Sequence, residues 1–221
     1  MGQIFAQELK RKKTDFLALT SAKLDITDFE KTRQVIKKYN PYFIINCAAY
    51  NNVDEAETEW QQAFFVNGIA VKNLALVANE IKSVLIHYSS DYVFSGDKDS
   101  AYTIADNPDP INRYGKSKLL GENFVQNFSN NYYLIRLSSV FGDNPGSSFP
   151  LKLLSWIKSK KEIKIADDQI FSPTFVEDAV KATLDLIKTN QFGLYHMTNS
   201  GYCSRYDFAK YILKKMDWKG K

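Results

Sequence analysis

Four short apolar runs, separated by helical patterns, constrain the fold of this 221-residue chain more than any other feature. The runs cover residues 16–20, 42–47, 84–88 and 132–137, and none alternates strictly between apolar and polar side chains. Such runs predict strands that are buried on both faces of a parallel sheet. Helical patterns at about 27–39, 58–81 and 113–128 lie between them, so right-handed strand–helix–strand crossovers are expected. Thr27, followed by Glu30, predicts a capping box at the start of the first of these helices.

After Gly142, apolar runs and helical patterns no longer alternate regularly. Helices are expected near 148–159, near 175–189 and from about 204, with a strand at 193–198. We therefore predict an α/β fold of the Rossmann type, with a doubly wound parallel sheet over residues 1–145 and a smaller α/β substrate lobe over residues 146–221. A binding cleft is expected between the two lobes.

Both ends of the sequence look incomplete for such a fold. Doubly wound dinucleotide-binding folds start with a central strand and a glycine-rich turn that holds the pyrophosphate. The chain starts after that strand, and Met1-Gly2-Gln3-Ile4 matches only the end of the turn, with Gly2 as its last glycine. The other end stops one helix into the smaller lobe. We expect the sequence to be a piece of a longer product, the alternative being that something else fills the slot of the missing strand.

Composition excludes several classes of partner. The net charge is +4 with the lysines in short pairs, which is typical of solvated helix faces rather than of a nucleic-acid surface. No apolar run is long enough for a membrane span, and the first residues lack the order of a signal peptide. Cys47 and Cys203 are isolated, which fits a reducing compartment and no zinc site. A cytoplasmic protein without nucleic-acid, membrane or metal partners is expected.

The segment Tyr114-Gly115-Lys116-Ser117-Lys118 gives the strongest chemical signal. Positions four apart on a helix are neighbours, so Tyr114 and Lys118 share one face. The same spacing recurs on the last predicted helix, at Tyr206 with Lys210 and at Tyr211 with Lys215. We interpret those two pairs as packing and solvent-facing residues, because Tyr114 alone opens a helix that follows a long loop.

Ser90 is expected beside Tyr114. A predicted strand ends in Ser89-Ser90-Asp91, so Ser90 lies at the carboxyl end of that strand. Ligands bind outside the carboxyl ends of parallel strands. A phenol with a pKa near 10 is a weak acid at neutral pH unless a nearby cation favours its anion, which Lys118 can supply. With Ser90 hydrogen-bonding the same carbonyl oxygen, these residues suit ketone reduction. Tyr114 would deliver the proton while a bound nicotinamide delivers the hydride.

Eight short segments, taken in order, carry a resemblance to a known family. They are Asn46-Cys47-Ala48-Ala49-Tyr50, Val53-Asp54-Glu55-Ala56-Glu57, Val66-Asn67, His87-Tyr88-Ser89-Ser90-Asp91-Tyr92-Val93-Phe94, Tyr114-Gly115-Lys116-Ser117-Lys118, Arg136-Leu137-Ser138, Ser172-Pro173-Thr174 and Gly193-Leu194-Tyr195-His196. The ordered set resembles the dTDP-4-dehydrorhamnose reductase family, of the extended short-chain dehydrogenase/reductase superfamily. The resemblance runs nearly from end to end.

The resemblance implies a role for each matching residue. Ser90, Tyr114 and Lys118 would form the catalytic triad, and Lys118 would also hold the nicotinamide ribose. The residues implied to bind the cofactor are Gly2, Asp25, Ile26, Ala49, Tyr50, Asn51, Tyr88, Tyr114 and Lys118. Those implied to bind substrate are Ser90, Asp91 and Ser139. Two positions depart from the family pattern, because Ser90 stands where Thr is usual and Ser139 stands where a substrate-contacting Trp is usual.

The resemblance implies NADPH-dependent reduction of the 4-keto group of a nucleotide-linked deoxysugar, from dTDP-4-dehydro-L-rhamnose to dTDP-L-rhamnose or a close relative. No carboxylate follows Leu19-Thr20 to repel a ribose 2′-phosphate, which favours NADPH, with NADH as the alternative. A dehydratase is disfavoured because Asp91 is followed by Tyr92 rather than by Glu. A nucleotide-sugar epimerase of the superfamily stays open, as does a non-catalytic relative such as a methionine adenosyltransferase regulatory subunit. A homodimer is expected by resemblance alone.

Overall fold

The computed structural model describes residues 1–142, 148–159 and 162–218. Its helices are α1 (Gly2–Arg11), α2 (Phe29–Tyr39), α3 (Trp60–Phe64), α4 (Ala70–Glu80), α5 (Arg113–Phe128), α6 (Phe149–Ser159), α7 (Val176–Leu186) and α8 (Arg205–Lys215). Its strands are β1 (Phe43–Asn46), β2 (Val84–Ser90), β3 (Tyr132–Leu137), β4 (Val140–Phe141), β5 (Ile170–Phe171), β6 (Thr174–Phe175), β7 (Gly193–Met197) and β8 (Cys203–Ser204). A π-helical segment, Phe65–Ile69, joins α3 to α4.

Four strands form the main sheet, in the order β1-β2-β3-β7. Strands β1 and β2 pair in parallel, with Asn46 opposite His87. Every residue of β2 is buried, as its nearly continuous apolar sequence predicts. Helices α2, α4 and α5 supply core side chains that pack with those of β1 and β2, among them Ile36, Leu74 and Val125. The predicted α/β class with a Rossmann-type parallel sheet is confirmed.

The chain forms two compact units. The sheet unit comprises Gly2–Arg136 and Leu186–His196, and the second unit comprises Met1, Leu137–Asp185 and Met197–Lys221. The second unit contains the parallel pair β4–β6, the antiparallel pair β5–β8 and an apolar cluster that includes residues of α6 and α8. Strand β7 was expected in the smaller lobe and instead joins the main sheet. The predicted boundary between residues 145 and 146 lies outside the described residues, so that division stays a prediction.

The run at residues 16–20 forms no strand, so this prediction is wrong. Its side chains Phe16, Leu17 and Leu19 are exposed. An apolar run becomes a strand only where a neighbouring strand supplies hydrogen-bond partners. Within residues 1–142, 148–159 and 162–218, no strand pairs with this run.

Helix α2 begins one residue later than the predicted capping box requires. Asp28 is the N-cap, and its side chain accepts a hydrogen bond from the backbone N–H of Lys31. Thr27 instead donates to Asp25. Asp satisfies a helix N-terminus at least as well as Thr, so it takes the cap position. None of the helices described is both long and apolar enough to cross a membrane.

Candidate active site

Helix α5 presents three ionisable side chains along one face. It spans the predicted range 113–128, and Asn112 caps it by accepting a hydrogen bond from Gly115 N at 2.7 Å. Tyr114, Lys118 and Glu122 follow at intervals of four residues and are only 8%, 3% and 0% exposed. Gly115 is required here, because a Cβ at this position would overlap the carbonyl oxygen of Tyr92. The start of α5 is therefore pressed against the turn that follows β2.

Ser90 ends β2 and lies beside Tyr114. Its hydroxyl donates to Asp91 Oδ1 at 2.9 Å and accepts from Tyr92 N at 3.2 Å, which caps the 3₁₀ turn Asp91–Val93. A hydrogen bond between the Ser90 and Tyr114 hydroxyls lowers the pKa of the phenol. The structure thus brings together Ser90, Asp91 and Tyr114, three residues that the sequence predicts to meet.

Tyr114 is protonated at neutral pH in the free chain. Its pKa is raised to about 12, chiefly by burial and with smaller contributions from nearby Asp91 and Tyr92, which together outweigh the lowering by Ser90. The ring packs edge-on against that of Tyr92, with centroids 5.6 Å apart. In the free chain this pKa is thus raised rather than lowered, contrary to the expectation from the pairing with Lys118. A protonated phenol is the state that a proton donor needs.

Lys118 is a buried ammonium group with one hydrogen-bond partner among the described residues. Its Nζ donates to the carbonyl oxygen of Tyr88 at 2.6 Å. Burial lowers its pKa to about 8, and Glu122 acts in the opposite direction. An ammonium group has three N–H donors, so two remain for a ligand. Two adjacent hydroxyls, such as those of a nicotinamide ribose, fit this donor set.

The loop that follows β1 contains the cofactor residues implied by the resemblance, Ala49, Tyr50 and Asn51. The loop is held at two points. Asn46 Oδ1 accepts from Ala48 N at 3.1 Å. The backbone N–H and carbonyl of Tyr50 both bond the side chain of Asn67, at 2.9 and 3.0 Å.

Asn67 also connects this loop to the helix that carries Tyr114. Its Nδ2 donates to Ser117 Oγ at 2.9 Å, and Ser117 donates in turn to the carbonyl oxygen of Tyr114 at 2.7 Å. Asn67 is 1% exposed and lies in the π-helical segment, a geometry that is frequent at functional sites. The sequence contains Val66-Asn67 as part of the family pattern, but its spacing alone assigns Asn67 no role. The sequence feature that could have indicated a role for Asn67 is a polar Asn followed by Gly within an apolar helical pattern.

The remaining cofactor residues lie at separate places in the sheet unit. Gly2 begins α1, and a Cβ there would lie 3.5 Å from that of Cys47, directly after β1. The ring of Tyr88 packs 6.2 Å from that of Phe5 on α1. Asp25 and Ile26 precede α2. Asp25 is exposed and accepts from Thr27, which lowers its pKa, while Ile26 packs against the core.

Ser139 belongs to the second unit, so its expected substrate contact stays a prediction. It is half-buried and adopts a left-handed backbone conformation with φ 41°, and its carbonyl accepts from Thr174 N at 3.3 Å. A non-glycine residue in this conformation is uncommon and is often found near functional sites.

The two rival Tyr–Lys pairs lie on the surface of α8. Lys210 lies 5.7 Å from the ring centroid of Tyr206, and Lys215 lies 5.6 Å from that of Tyr211. The two rings are 46% and 60% exposed, unlike the buried Tyr114. Within the part of the chain that the structure describes, no group of three or more His, Cys, Asp or Glu side chains is arranged to hold a metal ion.

Comparison with known proteins places this geometry in a family context. Residues 1–221 match the family model described as "RmlD substrate binding domain". The chain is 35% identical over 215 residues to the spore coat polysaccharide biosynthesis protein SpsK of Bacillus subtilis, covering 97% of this chain and 75% of that protein. It is 36% identical over 212 residues to the dTDP-4-dehydrorhamnose reductase of Mycolicibacterium smegmatis, covering 95% of this chain but only 64% of that protein.

A similar solved structure is that of the Bacillus anthracis dTDP-4-dehydrorhamnose reductase in complex with NADP. The TM-score is 0.94 at 37% identity, and the match covers 100% of this chain and 78% of that one. The chain thus spans between 64% and 78% of the length of these three relatives.

Proposed function

Because the chain belongs to the family of the RmlD substrate binding domain, we propose that it carries the active site of an NADPH-dependent nucleotide-sugar ketoreductase. One observation carries the proposal. A buried, protonated Tyr114 is hydrogen-bonded to Ser90 at the carboxyl end of a parallel strand, with the Lys118 ammonium one helical turn away. This is where open parallel sheets bind ligands.

The cofactor proposal rests on the free donors of Lys118 and on the fixed loop after β1. Lys118 would hold the nicotinamide ribose, and Ala49, Tyr50 and Asn51 would line the adjoining wall. When bound, NADPH supplies the hydride. The NADP complex of the relative with 37% identity favours NADPH over NADH for this chain as well.

The chain's own residues would handle the proton. Ser90 would turn its one hydroxyl hydrogen from Asp91 Oδ1 to the substrate carbonyl oxygen and thereby hold that oxygen beside the Tyr114 hydroxyl. Tyr114 would then transfer its proton to that oxygen as negative charge develops on it. The Lys118 charge would stabilise the resulting tyrosinate, which costs more in a buried position than in water.

We propose dTDP-4-dehydro-L-rhamnose, or a closely related dTDP-4-keto sugar, as the substrate. The names of the relatives support this choice, because the M. smegmatis and B. anthracis proteins are both called dTDP-4-dehydrorhamnose reductase. Asp91 and Ser139 are the residues proposed to contact the sugar. Ser139 is the position at which a different sugar would be selected, since it replaces a large aromatic side chain of the family pattern.

The proposal is tested by turnover of purified chain with NADPH and a panel of nucleotide-linked 4-keto sugars. We expect NADPH consumption that depends on the keto sugar, and faster turnover of dTDP-linked than of UDP-linked substrates. Saturable NADPH binding without consumption of NADPH by any member of the panel would reject the reductase proposal. Consumption that strictly prefers a UDP-linked sugar would reject the substrate proposal alone.

The charge state of Lys118 predicts how NADPH binding depends on pH. Its pKa is about 8, so the ammonium is present below pH 8 and is lost as the pH rises through that value. Tyr114, with a pKa of about 12, stays protonated over this whole range. We expect kcat/KM for NADPH, which reports the free enzyme, to be flat near neutrality and to fall above pH 8. The variant Lys118→Arg should lose this decline, and an unchanged profile in that variant would assign the decline to another group.

A further inference from the structure

A buried ion pair lies one helical turn beyond Lys118. Arg136 on β3 donates from Nε to Glu122 Oε1 at 2.9 Å and from Nη2 to Oε2 at 2.6 Å. The two residues are 5% and 0% exposed. Arg–carboxylate pairs of this bidentate form are geometrically specific, and removal of one partner leaves an uncompensated buried charge.

Two further groups fix the guanidinium of Arg136. Its Nη1 lies 3.4 Å from His196 Nε2, and its centre lies 4.9 Å from the ring centroid of Phe94. Burial and the charge of Arg136 both lower the pKa of His196, so this imidazole is neutral at pH 7. Arg136 is therefore enclosed by groups from α5, from β7 and from the segment after β2.

Glu122 is the negatively charged member of the pair and lies one helical turn from Lys118 on α5. The groups that face Lys118 from β2 are the carbonyl oxygen of Tyr88 and the fully buried His87. The pKa of His87 is lowered by burial and by the charge of Lys118, so His87 is neutral at pH 7 and adds no charge beside Lys118. On α5 itself, the neighbours one turn away are the protonated Tyr114 and the carboxylate of Glu122. Arg136 reaches Glu122 from β3, with Nη2 2.6 Å from Oε2.

We propose that the Glu122–Arg136 pair is a positioning element of the active site, which fixes the face of α5 that carries Tyr114 and Lys118 and provides the carboxylate that keeps buried Lys118 charged. Only the expected effect on NADPH binding rests on the proposed function. The effects on the charge of Lys118 and on the position of α5 are expected in the chain without cofactor. Burial by itself disfavours an ammonium, and a carboxylate one turn away offsets that penalty at no loss of access to the ligand side of Lys118.

The test is direct titration of Lys118 by NMR in protein with ¹³C-labelled lysine, with the signal assigned by its absence in Lys118→Arg. We expect Glu122→Gln to lower the midpoint of the Lys118 titration by about one pH unit. If NADPH binds only to the charged form, its Kd should rise about threefold at pH 7.5 and be nearly unchanged at pH 6. Glu80→Gln is the matched control, because Glu80 forms an exposed pair with Arg33 and should leave the midpoint unchanged.

A double variant separates charge from packing. Glu122→Gln alone leaves Arg136 without its partner, so it can fail to fold for that reason. Glu122→Leu with Arg136→Met replaces the pair by apolar side chains, which proteins often tolerate. Its Lys118 midpoint should also be lowered, but by less, because the positive charge of Arg136 is removed together with the carboxylate. A folded double variant whose midpoint matches that of the parent chain would overturn the inference. Failure of the parent chain itself to bind NADPH would instead count against the proposed function.

Discussion

Replacement of Tyr114 by Phe is expected to lower kcat by about 10²- to 10⁴-fold while the Kd for NADPH stays within a few fold. The variant removes only the hydroxyl that would give its proton to the substrate. The ring keeps its buried position and its edge-on contact with Tyr92 at 5.6 Å. Lys118 keeps its bond to the Tyr88 carbonyl, so the residues proposed to bind the cofactor should stay in place. Steady-state turnover and fluorescence titration with NADPH measure the two quantities.

Tyr206→Phe is the matched control for this variant. Tyr206 also has a lysine four residues later, but its ring is 46% exposed on α8, so neither turnover nor binding should change. Turnover by Tyr114→Phe at the level of the parent chain would exclude Tyr114 as the proton donor.

Replacement of Gly121 by Ala is expected to destabilise the fold by about 2–3 kcal/mol, which corresponds to a fall in Tm of roughly 5–10 °C for a chain of this size. A Cβ at Gly121 would overlap the backbone carbonyl oxygen of Asn67. Backbone cannot yield as a side chain can, so α5 or the π-helical segment must move. Because Asn67 holds the loop at Tyr50, we also expect weaker NADPH binding. Thermal unfolding and NADPH titration provide the measurements.

Gly68→Ala provides a graded control at the same crossing. Its Cβ would lie 2.6 Å from Cδ2 at the flexible end of Leu120, which can change rotamer. A smaller loss, within about 1.5 kcal/mol, is expected. If the two variants unfold at the same temperature, the close backbone approach at Gly121 does not limit stability.

The sequence predicted the features that depend on local pattern. The apolar run at 84–88 gave a strand buried on both faces, and Tyr114 and Lys118 lie on one helix over the predicted range 113–128. The family and the α/β class are confirmed for the same reason, since ordered motifs and alternating strands and helices are both local in the chain.

Features that depend on a partner elsewhere in the chain could not be predicted. The run at 16–20 has strand-like composition, but composition does not supply a neighbouring strand. That one of the three Lys118 donors bonds the Tyr88 carbonyl, 30 positions earlier in the chain, could not be predicted from the Tyr114–Lys118 spacing. Nothing in the sequence around Glu122 indicates that both of its carboxylate oxygens accept hydrogen bonds from Arg136. These outcomes are set by tertiary packing.

The most direct test of the proposed reductase chemistry is isotope transfer from NADPH deuterated at nicotinamide C4 to a dTDP-4-keto sugar. Mass spectrometry of the product measures both reduction and the origin of the hydrogen. The account predicts a reduced sugar with one deuterium at C4 when the hydride-transferring face is labelled, and almost no product from the Tyr114→Phe variant. Folded chain that binds NADPH but forms no deuterated sugar would contradict it.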